Sequence, residues 1–149
     1  MTHPGRSTAV AELAENDVRA ARDVVAAMHA LAARLAVPRL DSTHLEEMAA
    51  ANARFAAAIE SGDGPASLAA DDAFHGVLVT CAGNPAIAGV LDQYEPVLRR
   101  AERLLFLSVD RYASIAKHDR ILERCRAGDA KGAAEVEFLT WHDVPVGQR

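Results

Sequence analysis

Large aromatic side chains are scarce in this chain: four Phe, two Tyr and one Trp among 149 residues. A core must therefore be built from small and medium aliphatics, and Ala, Leu and Val supply most of an apolar half. Cysteine is as scarce. Cys81 and Cys125 stand alone, with no CxxC or zinc-ribbon spacing, and read as small buried hydrophobes in a reducing cytosol. Positive charge is in deficit, with a formal net charge of −5. That balance argues against general affinity for nucleic acid or anionic membrane, which need basic patches. No segment reaches the roughly 20 apolar residues that span a bilayer, and Met1–Val10 lacks the apolar run of a signal peptide. A cytoplasmic protein is expected, without membrane contact.

What remains is helical signal. Ala14, Val18, Ala21, Val25, Met28, Ala32 and Leu35 recur at steps of three and four, predicting a first helix over residues 8–36 that Pro38 ends. On this reading His29 lies on the helix surface, as does His44 later. A second helix opens at Asp41-Ser42-Thr43, where Thr43 and Glu46 have capping-box spacing. Its apolar line of Leu45, Met48, Phe55 and Ile59 is interrupted by Asn52. A third starts near Pro65 and carries Leu68, Asp71, His75, Leu78 and Ala82 on one face. Asn84 and Pro85 start a fourth, which runs through Ile87, Val90, Leu91, Tyr94, Val97, Leu98, Ala101, Leu104 and Leu105. Pro96 should kink it. A fifth spans residues 114–126 with Ile115, His118, Leu122 and Cys125 aligned, and Asp129 caps a sixth that ends near His142. The sixth is apolar nearly all round, so periodicity leaves its buried face open. No strand pattern competes. The fold class expected is all-α, an antiparallel helical bundle of six to seven helices.

Ionisable residues inside apolar stripes carry the chemical signal. Asp71 and His75 are one helical turn apart and can share an ion. His118 faces inward from another helix. A carboxylate with two imidazoles suits a divalent transition metal such as zinc, nickel or manganese. The same residues admit a second reading, a polar core in which Asp and His satisfy each other without any ion. Arg22, Arg99, Arg100 and Arg103 are candidates to clamp an effector carboxylate, or else solvated surface charges; Glu95 and Glu102 near Arg99 suit surface ion pairs. Asn52 either donates to an effector or bonds backbone or water. Trp141 is a core residue or an interface anchor.

Taken in order, Asp71-Asp72-Ala73-Phe74-His75, Ala82-Gly83-Asn84-Pro85, His118 before Ile121-Leu122, and Gly128-Asp129 resemble the FadR C-terminal (FCD) domain of bacterial GntR-type transcription regulators. The resemblance runs from about Asp17 to Trp141, with Arg22 on its first helix. It implies an effector- or metal-binding domain over residues 17–142, between an N-terminal extension (1–16) and a C-terminal tail (143–149). It also implies a homodimer, a small organic acid as effector, and a regulatory role without enzyme activity. Three family metal ligands map onto Asp71, His75 and His118. The fourth does not: Thr140 stands where a histidine is expected, and His142 comes two residues late, about 200° round the helix. A winged helix-turn-helix has no room within residues 1–16, so DNA contact is expected only through a domain outside this chain. Two other outcomes stay open: a dimerisation module that has lost its sensor role, and a metal-dependent enzyme on a helical bundle.

Overall fold

The computed structural model describes residues 4–104, 110–144 and 146, with the side chains of residues 4–14, 103 and 104 outside the description. His3 and Leu105 therefore fall outside it, as does the Arg103 side chain. Six helices account for nearly all the described residues: α1 (Pro4–Ala36), α2 (Ser42–Ser61), α3 (Gly64–Ala82), α4 (Pro85–Leu104), α5 (Arg111–Arg126) and α6 (Ala130–His142). A 3-10 turn, Val37–Arg39, follows α1. No strand occurs among the described residues.

The starts of the helices are set by short polar side chains. Asp41, Asp63, Asp110 and Asp129 each precede a helix and accept a backbone N–H three residues on. At α2 the box closes through Asp41 and His44, not Thr43 and Glu46. The Asp41 carboxylate accepts from the His44 N–H at 3.0 Å, and the Asp41 N–H donates to His44 Nδ1 at 3.1 Å. An aspartate directly before the first helical residue reaches the third N–H, so the helix starts before Thr43 can cap it. His44 is thereby a capping residue. Asp110 likewise starts α5 three residues ahead of the expected Ser114. Gly83 ends α3 at φ +67°, a conformation that costs a glycine little.

Two-residue links join α2 to α3 and α3 to α4. The first folds back as an antiparallel hairpin. The second swings α4 away, so that α4 packs mainly on α1. Helix α1 is the central element and touches α3, α4 and α6; α5 bridges α2 and α6. Its contact face runs through Val18, Ala21, Val25, Ala26, His29, Ala32, Ala33 and Ala36, all buried, and seven of these eight carry side chains no larger than valine's because neighbouring helices approach closely. The α1 stripe is therefore rotated from the expected one, with Leu35 at the rim and 36% exposed. His29, expected on the surface, is 2% exposed for that reason. Helix α4 runs through Pro96, which leaves the Asp92 carbonyl without its helical donor. The buried face of α6 is Ala133, Ala134, Glu137 and Trp141. Cys125 is buried and its thiol is pushed up to about 12 by that burial, which keeps it protonated within the core.

Candidate functional site

Six helices send polar side chains to one place. Asp71 and His75 come from α3, one turn apart. His118 comes from α5, Asn52 from α2, Glu137 from α6, His29 from α1 and Arg99 from α4. His75, His118, His29 and Glu137 are all at or below 2% exposure. Groups this polar and this buried persist only when partnered.

Asp71 is the hub. Its Oδ1 lies 2.9 Å from His118 Nε2 and 3.5 Å from His75 Nε2. Its Oδ2 accepts from the Arg99 guanidinium. Burial alone would raise the Asp71 carboxyl. The His75 charge, hydrogen bonds from His118 and His75, and the Arg99 charge outweigh it and hold the group well below the usual carboxylate range.

The far nitrogen of each imidazole is fixed by a partner. His75 Nδ1 is 2.5 Å from Glu137 Oε1. His118 Nδ1 is 2.9 Å from Asn52 Oδ1. The Asn52 amide donates to Asp119 Oδ1 at 2.8 Å, so its oxygen faces the ring and accepts the Nδ1–H proton. At Nε2, 2.9 Å from Asp71 Oδ1, a protonated His118 donates a hydrogen bond to the carboxylate, and a neutral one turns a lone pair to it. Burial lowers the His118 pKa, with the His75 charge adding to the effect against the Asp71 hydrogen bond, so the neutral ring is the favoured one. In the neutral form Nε2 and Asp71 Oδ1 are two electron-rich atoms 2.9 Å apart, a place that either a proton or a metal ion can fill. His75 behaves oppositely. Burial would lower its pKa, but Glu137 and Asp71 flank it and raise it to about 10. Phe74 stacks on the His118 ring at 4.2 Å between centroids, and Phe55 tilts against it at 4.8 Å, which locks the ring plane.

The donor set fits a divalent metal. Asp71, His75 and His118 each offer one ligand atom, all within 4.8 Å of one another. Both imidazoles would ligate through Nε2 while Nδ1 donates to an oxygen, the arrangement that fixes the tautomer in histidine metal sites. The structure brings these three together. It does not bring in His142, which is about two-fifths exposed and lies 3.6 Å from Asp23 on the outer face of α1; the two-residue offset turns it away. Thr140 lines the cavity beside the cluster, but its hydroxyl bonds back to the Val136 carbonyl at 2.7 Å.

That cavity holds about 60 Å³ and is lined by Asp71, His75, Arg99, Arg111, Lys117 and Thr140 among others. Arg99 is no surface charge. It is 14% exposed at the side chain, pairs with Asp71, Asp72 and Glu102, and sits 5.1 Å over the Trp141 ring. Its reach across to α3 follows from the α4 face that packs inward. Asn52 serves His118 and Asp119 and does not line the cavity. Arg22 reaches the Val144 carbonyl at 3.4 Å, and Arg100 is exposed; neither lines the cavity.

The FCD domain family model matches residues 17–137. The chain belongs to the FCD domain family. FCD domains are the effector-binding regulatory domains of GntR-type regulators, and the helical bundle seen here is the all-α architecture of that family. No curated protein and no solved structure is significantly similar to the chain. Among the described residues, no helix is long and apolar enough to cross a membrane.

Three members of this FCD site escape the sequence reading. Glu137 and Trp141 lie one turn apart on a helix that looks apolar all round, so nothing marked the carboxylate as inward. His29 sits one position off the strongest apolar line of α1. The signal for Glu137 is its place in the 133, 134, 137, 141 spacing, visible once that face is known to be buried.

Proposed function

We propose that this FCD domain holds a divalent transition metal on Asp71, His75 and His118 and uses it, with Arg99, Arg111 and Lys117 of the cavity wall, to sense a small organic acid. Bound there, the metal supplies a positive centre that accepts an effector carboxylate oxygen. The chain's own residues do the rest. Glu137 and Asn52 orient the two imidazoles, and Thr140, with its hydroxyl turned to its own helix, leaves the fourth direction open.

The observation that carries the carboxylate reading is a pair of orphaned donors. Trp141 Nε1 and Arg99 Nε are buried N–H groups with no partner, and both residues line the cavity. Arg111, Ser114 and Lys117 line it as well. The two unmet donors match an acceptor-only ligand, which these cations would help to balance against Asp71, Glu102 and Asp143 of the same wall. The ligand would touch α3, α4, α5 and α6 at once, so binding would favour one relative placement of these helices. Transmission of that bias through a homodimer to an attached winged helix-turn-helix, and so to DNA, completes the reading.

The test is thermal unfolding of chelator-stripped protein, then of protein reloaded with zinc, nickel or manganese, across a panel of small mono-, di- and tricarboxylates. At least one acid should raise the melting temperature of the loaded protein, and Arg111→Ala with Lys117→Ala should remove that rise. No response to any acid, with or without metal, would leave a dimerisation module. Sedimentation at micromolar concentration tests the homodimer.

A further inference from the structure

On the other side of His75 lies a second set of polar atoms. His29 Nε2 is 2.9 Å from Glu95 Oε1. With its proton donated to that carboxylate, the ring is left with a bare Nδ1 lone pair. Nδ1 is buried and has no hydrogen-bond partner, in a residue that is 2% exposed. It faces Glu137 Oε2 at 3.8 Å. That spacing is too long for a hydrogen bond. It is close to the ligand–ligand separation of about 3.4 Å across a tetrahedral ion with bonds near 2.1 Å. His75 Nδ1 completes the group, and the three residues bring a ligand atom each within 4.8 Å.

Two further features favour a cation over an anion or a polar packing contact. Glu95 stands behind His29 as a carboxylate stands behind a ligating histidine, fixing the tautomer that exposes Nδ1 inward. A cavity of about 390 Å³ opens next to His29 and His75, and its lining carries Asp72, Asp92 and Glu95 against Arg99 and, in metal-free protein, the protonated His75. Such a lining attracts metal ions from solvent and offers a route in. Trp141 stacks on the His29 ring, 4.3 Å between centroids and 6° between planes, and holds it in place.

We infer that His29, Glu137 and the Nδ1 of His75 form a second divalent-metal position, back to back with the Asp71–His75–His118 position and sharing His75 with it. A neutral imidazole has one lone pair. When His75 ligates through Nε2, its Nδ1 keeps the proton and gives it to Glu137. When it ligates through Nδ1, the proton moves to Nε2 and goes to Asp71. The two positions are therefore filled one at a time. This site rests on His29 and Glu137 and stands whether or not the first position senses an acid.

Zinc uptake by stripped protein, read by competition with a chromophoric chelator, tests it with wild type, His118→Gln, His29→Gln and the double variant. Circular dichroism confirms that each is folded. Wild type should take one equivalent. His118→Gln should still take one, bound about 100-fold more weakly, and adding His29→Gln should weaken that residual binding at least tenfold more. Residual binding unchanged by His29→Gln would overturn the inference, because the ion would then sit on Asp71 and His75 alone. So would a folded His118→Gln that takes no zinc. A wild type that takes no zinc would sink the metal reading of both positions. Wild type and His29→Gln binding alike while His118→Gln binds none would sink only the second.

Discussion

Replacing Glu137 by Gln tests the electrostatics of the buried cluster most sharply. Glu137 is fully buried and touches His75 Nδ1 at 2.5 Å. In metal-free protein its charge, with that of Asp71, offsets the burial cost of the His75 imidazolium and raises that pKa from 6.5 to about 10. A histidine whose folded pKa is raised stabilises the fold fully below its unfolded pKa of 6.5. That contribution is lost as pH rises through about 10. For this shift the linkage relation gives about 4 kcal/mol at pH 7 and about 1 kcal/mol at pH 9, a loss of roughly 2–3 kcal/mol. Breaking a buried pair by removing one charge costs about 3–5 kcal/mol. Glu137→Gln keeps the shape and an acceptor, so the lower end applies, about 3 kcal/mol at pH 7. For a chain of this size each kcal/mol moves the midpoint by roughly 2–4 °C. Chelator-treated wild type should therefore melt about 5–10 °C lower at pH 9 than at pH 7. Glu137→Gln should start about 6–12 °C lower at pH 7 and lose less than half as much between the two pH values. Scanning calorimetry at both pH values reads this directly. A variant melting within 2 °C of wild type, with the same pH dependence, would refute a charged His75 held by Glu137.

Other outcomes follow from the same geometry. Thr140→His restores an imidazole where the cavity opens and should tighten zinc binding at least tenfold in a calorimetric titration; unchanged affinity would mean that α6 aims residue 140 elsewhere. Asn52→Leu removes the acceptor that fixes the His118 tautomer and should weaken zinc binding by about 10–100-fold, as loss of such a partner does. Trp141 is the single tryptophan and its ring lies 4.3 Å from His29 and 5.2 Å from His75. Copper(II) should quench its fluorescence at stoichiometric ratio, whereas quenching that needs a large excess would place the ion away from the cluster.

Much of this fold is written in period and punctuation. The steps of three and four and the Asp, Asn, Gly and Pro punctuation fall where the six helices start and stop. The resemblance in Asp71, His75, Gly83-Asn84-Pro85 and His118 is matched by the family assignment. What was illegible has a physical cause in each case. Alanine is small enough to lie on a buried or an open face, so the α1 stripe admitted a rotation of one position that hid His29. Helix α6 is apolar on several sides, with Phe138 and Leu139 left exposed, so Glu137 had no contrasting background. Arg99 is flanked by Glu95 and Glu102 in sequence and looks like surface charge. Only the packing of α4 against the bundle turns it towards Asp71, a carboxylate 28 residues away.

Whether Asp71, His75 and His118 form one metal position is read by calorimetric titration of zinc into chelator-stripped wild type and into folded His118→Ala. Wild type should bind one tight equivalent, and the variant should bind at least 100-fold more weakly. Equal affinity in the two proteins, or no zinc bound by wild type, would contradict that assignment.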